Sequence, residues 1–431
     1  MKTRQQVATC IYYALRSKAA TPYLSAFQSD ARLREDLALD SSAVLQLLVT
    51  LELEFGLPLP EETLMNGGFD TVRALAKLLH DAQPDRPADH PLDYEEDLKL
   101  HCFVSCQSEI IKRKGGLDQR ALYFGVWDSE ILLDERYALS YHGSGISHRR
   151  YADWCARLYG LEAHPWYDPT ADEETNVRRL VELVETRAPH QHVMVMLDMF
   201  RLPERANEFN KDPFPHYLML TATPDPEEWL VHDPDYRWEG IAQKERILHA
   251  MRHPAVGGGF VFDDSRLHAP LPRQIKAYYD SGLVLDQNPM TATIRASVVA
   301  HLAGTDRNGQ DLPLAHLTSA LAEVPILAIR KYAYEHGLAF FWRELNLDEK
   351  EFDEWCEAIA ELVKTYKVIQ FQSMKLATNG DRTVAERVFA LLDEQDHREH
   401  RIKARLHEVQ GHWCDVTFAT PHCAAVGEAS P

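Results

Sequence analysis

A chain of 431 residues with 45% apolar and 10% aromatic content is long enough for two or three folded domains and too rich in core-forming side chains for general disorder. Its formal charge of −20 lacks the basic footprint that nucleic acid rewards, and it has no apolar run of the roughly 18 residues that a membrane span needs. Seven scattered cysteines, an odd number, form no disulfide framework and point to the cytoplasm. The acidic balance serves solubility and can also concentrate a cationic small molecule such as a polyamine.

The N-terminal segment MKTRQQVATCIYYALRSK reads as an amphipathic helix with Val7, Ile11 and Leu15 on one face, and not as a signal peptide. Asp40 stands where an N-cap belongs. Val44, Leu47, Leu48, Leu51 and Phe55 then form a helical stripe that stops at Gly56, and Val72, Leu75, Leu78 and Leu79 mark a further helix over roughly 71–79. Residues 1–82 are therefore predicted to be a small helical bundle. On spacing alone, Ser41 and Ser42 need do no more than cap a helix. The proline-bearing stretch DAQPDRPADHPLD (81–93) gives a linker over 83–93.

Residues 94–265 mix helical and β-rich segments. In LKLHCFVSCQSEIIKRKGG (98–116), Cys102 lies in the first turn of a helix that ends at Gly115 and Gly116, where the positive end of the helix dipole favours a thiolate; Cys106 and Ile110 follow on the same face. VMVMLDMF (193–200) reads as a strand. RLPERANEFNKDPFP (201–215) is a long loop, a candidate lid or acceptor-binding segment, leading directly into His216. A strand from His216, a turn at Thr223–Glu227 and a return along Trp229–Val231 bring Asp233 back beside His216. A base oriented by a carboxylate next to a helix-terminal thiol is the arrangement for nucleophilic acyl transfer: Cys102 attacks, His216 moves protons and Asp233 fixes the imidazole. Cys106 is the fallback nucleophile, Asp235 or Asp225 the fallback orienter, His101 is read as mainly structural, and Gln107 and Asn210 are candidate oxyanion donors. GGGF (257–260) is read as a flexible connection. Residues 266–431 are predicted helical, with HREHRIKARLHEVQGHWC (397–414) a solvated helix and no metal site expected.

The run DLALDSSAVLQLLVTLELEFGLPLP resembles an acyl carrier protein across nearly all of the first 80 residues, including an acidic recognition helix (Glu52, Glu54). That resemblance implies 4′-phosphopantetheine on Ser41, although Ser42 stands where the family has leucine. The order Cys, His, Asp and the strand, turn, strand, Asp-Pro string resemble papain-like cysteine enzymes of the bacteriocin-processing group, and more closely the acyltransferase of butirosin biosynthesis, which passes an acyl group from a carrier protein to an amine. The peptidases carry a Gln where this chain has Glu96. Carrier plus transferase is similar to the carrier and aryl-transferase pair of petrobactin-type siderophore assembly, which joins a dihydroxybenzoyl group to a polyamine.

The expectation is an α+β protein: a four-helix carrier bundle, a papain-like core with an antiparallel sheet, and a helical C-terminal region. It would move an acyl or aryl group from its own phosphopantetheine, through Cys102, to an amine, in cis or within a homodimer. A phosphopantetheinyl transferase and an adenylating loading enzyme would be its partners. The rival readings are a thioesterase, with water as acceptor, and a non-catalytic carrier scaffold.

Overall fold

The computed structural model describes residues 4–16, 23–39, 44, 47–48, 50–52, 55–57, 70–82, 100–143, 146–202 and 212–419. They form two compact units: residues 1–94 with 230–232 and 237–241, and the rest of the chain.

In the first unit, the helix Arg4–Ala14 buries Val7, Ile11 and Ala14, with Leu15 just beyond it. The helix Val72–Asp81 starts at Thr71, whose hydroxyl accepts from the amide of Ala74 at 3.1 Å, and it buries Val72, Leu75, Ala76 and Leu79. Val44, Leu47, Leu48 and Leu51 complete the same apolar core, so stripes read from spacing converge as an amphipathic bundle requires. Leu39 and Val44, which flank the segment carrying Ser41, are both buried; Ser41 itself lies outside the described residues.

From Leu100 onward the described residues are mixed α and β. A short ribbon pairs β1 (Leu132–Leu133) antiparallel with β2 (Leu139–Ser140). The main sheet has the order β3-β8-β4-β5-β6-β7, with β3 spanning Glu162–Pro165, β4 Gln191–Asp198, β5 Pro215–Ala222, β6 Glu228–Asp233, β7 Trp238–Gln243 and β8 Gly259–Asp263. β4 runs antiparallel to both β5 and β8. All its residues from Val193 to Asp198 are buried, which explains an apolar run without alternation. The helix Cys102–Lys114 packs on this sheet through Phe103, whose ring meets those of Tyr217, Phe260 and Phe262 at centroid distances of 5.5, 5.2 and 6.0 Å.

Two sequence expectations need correction. The GGGF segment is not a flexible connection: Gly259 opens β8, in the interior of the sheet, and Gly258 accepts a backbone bond from Met196 at 3.0 Å. A Cβ at Gly259 would stand 2.2 Å from the Trp166 ring and one at Gly258 would stand 2.3 Å from the Tyr217 hydroxyl, so these glycines make room for aromatic rings. The stretch 397–414 lies in the long helix Arg382–Ala419, but only one face is solvated; Glu399, Ile402, Lys403, Leu406, Val409, Gln410 and Trp413 are buried. The expected C-terminal helices are present, and no helix of the described residues is long and apolar enough to cross a membrane.

Those buried charges form a closed network. Lys331 Nζ donates to Glu399 Oε1 (2.6 Å), the Trp127 carbonyl (2.6 Å) and Asp128 Oδ1 (3.3 Å). Lys403 Nζ meets Asp128 Oδ2 at 2.8 Å and donates to the carbonyls of Val284 and Gln287. Tyr334 and Tyr366 donate to the two oxygens of Glu399. Two cations and two anions cancel, and each is hydrogen-bonded, which is the condition under which buried charge is tolerated. Removing one member strands the others. Glu399→Ala should lower the unfolding free energy in urea by about 3–5 kcal/mol, whereas Lys331→Met combined with Glu399→Leu should cost clearly less than the sum of the single changes.

Candidate active site

Cys102 is the first residue of its helix, and the N-cap residue His101 supplies no side-chain cap. The exposed amides are taken by a residue distant in sequence. Asp235 Oδ1 accepts from the backbone of Leu100 (3.1 Å) and His101 (3.1 Å) and from the Ser105 hydroxyl (2.6 Å). Burial pushes the Asp235 carboxyl up, and the charge of His216 and the bond from Ser105 act against it. Asp235 therefore fixes the start of the helix and with it the position of Cys102, which is half-buried. It is not the orienter of His216, the fallback role sequence allowed it.

His216 is the second residue of β5, paired in register with Leu197 of β4, and is 3% exposed. Its Nε2 lies 2.9 Å from Oδ1 of Asp233, the last residue of β6, which is wholly buried and also accepts from the amide of Tyr236 at 3.3 Å. The predicted strand, turn and return thus deliver the carboxylate to the imidazole. Burial alone would lower the His216 pKa; the charges of Asp233 and of a Cys102 thiolate, with hydrogen bonds to both, outweigh it and hold the ring well above its usual range. With Nε2 committed to Asp233, Nδ1 is the nitrogen left for Cys102. The structure brings Cys102, His216 and Asp233 together.

Cys102 and His216 line an open cleft of about 550 Å³ whose walls are largely aromatic and aliphatic, including Tyr141, Phe214, Tyr217 and Ile326. Asp198, at the end of β4, accepts from the amides of Phe200 and Phe214 and so holds Phe214 beside His216, at a ring separation of 6.1 Å. Ligand atoms of Asp198, Asp212 and His253 lie within 4.8 Å of one another, but Arg201 Nε already stands 3.4 Å from Asp198 Oδ2.

The remaining candidates sort by burial. Cys106 is fully buried, with its thiol pushed far up by desolvation, and packs in the core. Gln107 is fully buried, neither polar atom of its side chain is hydrogen-bonded among the described residues, and it does not line the cleft. Asn210, Glu96 and most of the candidate lid (203–211) lie outside the described residues. His101 lines the cleft and is 6% exposed; burial and then Arg330 lower its pKa far below the usual imidazole range. Asp235 as a helix clamp and Arg330 as a cleft residue were not legible from spacing. The only local signal for Arg330 is a pair of cations, Arg330-Lys331, ending the apolar run VPILAI.

Comparison with known proteins finds three family matches along the chain. Residues 24–79 match the phosphopantetheine attachment site, residues 97–267 the DUF6005 N-terminal domain and residues 273–425 the DUF6005 C-terminal domain. The chain is 36% identical over 309 residues to petrobactin synthase of Bacillus anthracis, covering 72% of this chain and 93% of that protein. The attachment domain carries 4′-phosphopantetheine covalently. The chain belongs to the petrobactin synthase family, with a phosphopantetheine-bearing carrier domain at its N-terminal end.

Proposed function

We propose that the chain is a carrier-linked acyltransferase of siderophore biosynthesis, which passes an acyl or aryl group from its own carrier domain through Cys102 of a papain-like core to an amine, a polyamine in keeping with the charge of −20. The observation that carries this reading is the meeting of Cys102 and the buried His216–Asp233 pair, 2.9 Å apart, at one cleft. Ser41 is the proposed attachment residue, which makes a phosphopantetheinyl transferase and an adenylating loading enzyme the partners. The proposed boundaries are 1–82 for the carrier, 83–93 for the linker, 94–265 for the core and 266–431 for the helical region. When bound, the phosphopantetheine arm supplies a thiol that presents the acyl group as a thioester.

Cys102, as thiolate, would attack the acyl carbonyl presented to it and His216 would give its proton to the leaving sulfur, so that the acyl group comes to rest on Cys102. The amine then attacks that carbonyl while His216 Nδ1 accepts its proton, the C–S bond breaks, and the amide leaves with the Cys102–His216 ion pair restored. Asp233 holds the imidazole in one tautomer throughout and stabilises its charged form. Asp235 keeps the thiol at the helix start, and the backbone amide of Cys102 is the nearest donor for the developing oxyanion. Fusing carrier to catalyst raises the effective concentration of the acyl group at the thiol.

The decisive experiment loads the full chain with an acylated phosphopantetheine, adds polyamine or none, and follows the products by mass. Amide formed only with the amine supports transfer; free acid regardless of amine supports the thioesterase, and intact loading without turnover supports a scaffold. Cys102→Ala and His216→Ala should each lower amide formation by about 10³-fold or more with loading intact, and Asp233→Asn by about 10²-fold or more.

A second expectation concerns protons. The folded-state pKa of His216 is raised above its ordinary 6.5, so its proton stabilises the native state below that value, and the contribution disappears as pH rises through the raised one. Histidine-selective NMR should find His216 still protonated at a pH where an ordinary imidazole, titrating at 6.5, has lost its proton, and Asp233→Asn should return its titration toward the ordinary range. A neutral ring in the wild-type protein at that pH would count against the ion pair. Asp235→Ala, which frees two amides and a hydroxyl at the start of the Cys102 helix, should cost about 1–3 kcal/mol in stability and also slow acylation of Cys102.

A further inference from the structure

The cleft contains a cation that the protein does not neutralise. Arg330 lines it and is 7% exposed. Among the described residues its guanidinium has one hydrogen bond, from Nη1 to the Ser129 hydroxyl at 2.9 Å, and lies 5.9 Å from the Tyr141 ring centroid, with no carboxylate in ion-pair range. The acids near it in the chain and fold are engaged elsewhere. Asp128, next to Ser129, is held by Lys331 and Lys403, and an oxygen of Glu323 accepts from the amide of Tyr141 at 2.8 Å. Burying a guanidinium without a counter-charge is costly, and such a group is retained where a ligand brings the missing anion.

The groups around it agree. His101 Nδ1 is buried without a hydrogen-bond partner among the described residues. His148, which lines the same cleft, is pushed down to about 3 by burial, by Arg330 and by His142, and so stays neutral at physiological pH. One fixed positive charge and two neutral imidazoles thus stand in a wall that also holds His142, the Cys102–His216 pair and Asp235, whose carboxylate is taken up by Leu100, His101 and Ser105, and that is otherwise aromatic and aliphatic.

We infer that Arg330, with the unpartnered Nδ1 of His101, is a specificity site that binds an anionic oxygen of the substrate beside Cys102. A planar carboxylate or an ionised hydroxyl on an aromatic ring meets the guanidinium fork while the aromatic wall covers the ring. Whether the anion belongs to the acyl group or to the acceptor rests on the acyl-transfer reading above; the presence of the anion site does not.

The test uses benzoate and benzamide, which are nearly isosteric and differ in charge, titrated calorimetrically into the full chain. Benzoate should bind about tenfold or more tightly than benzamide. The ratio should fall to about one in Arg330→Met and survive in Arg330→Lys, which keeps the charge. Equal binding of the two probes by the wild-type chain, or a preference that persists in Arg330→Met, overturns the assignment, and the first of these needs no variant to fold. A second arm follows acylation of Cys102 by the N-acetylcysteamine thioesters of benzoate and 4-carboxybenzoate. A preference for the charged thioester that Arg330→Met removes assigns the anion to the acyl group; benzoate selectivity without it assigns the anion to the acceptor. Benzoate selectivity with no acylation of Cys102 by either thioester upholds the anion site and counts against acyl transfer.

Discussion

Two carboxylates separated by one proline position the proposed nucleophile and base of this molecule. Asp233 closes β6 and binds His216; Asp235, two residues on, accepts from the two amides just before the Cys102 helix and from the Ser105 hydroxyl in its first turn. The proposed base and nucleophile are therefore referred to a single short segment, Asp233-Pro234-Asp235, although 114 positions separate Cys102 from His216 in the chain. Catalytic geometry tolerates errors of only about half an ångström, so a shared reference point is worth more than strong contacts made to separate parts of the fold. Both acids are buried and each keeps hydrogen bonds to fixed donors, which removes the freedom that a surface loop would have.

The parts legible in the sequence were those set by local rules. Strand period and turn residues located the hairpin between His216 and Asp233, and the four-residue spacing of Cys102, Cys106 and Ile110 with the stop at Gly115 placed Cys102 in the first turn of a helix. Three- and four-residue spacing found Val7, Ile11, Val72 and Leu75 as core of the carrier unit. What escaped depends on distant pairing. Asp235 meets Ser105 across 130 positions and Arg330 meets Ser129 across 201, separations over which no periodicity carries information. The glycine run at 257–259 misled for the opposite reason: its composition suggests flexibility, while Gly258 and Gly259 leave space that Tyr217 and Trp166 fill. The Arg330-Lys331 pair after the apolar run VPILAI shows the same limit, since nothing local distinguishes a lysine that closes a charge network from an arginine that leaves one open.

These adjacent cations divide the labour of the C-terminal region. Lys331 is neutralised within the protein and ties the helices around residues 127, 334, 366 and 399 together. Arg330 lines the cleft from a segment that its neighbour anchors to the helical core. Pre-organisation of this kind lowers the entropy lost when a side chain engages a ligand. It also gives the helical region a part in the site, which is otherwise built from the sheet and the Cys102 helix.

The glycine at the head of β8 has a consequence for how this sheet can vary. The Trp166 indole occupies the space where a side chain at 259 would be, and its Nε1 donates to the carbonyl of Met194 on β4 at 3.0 Å. One ring therefore crosses from β3's end of the sheet to a strand two places away, acting as a rivet through the missing side chain. Even a methyl group at 259 would push the rivet out, so that position is closed to drift while exposed positions nearby, such as His164, remain open to it.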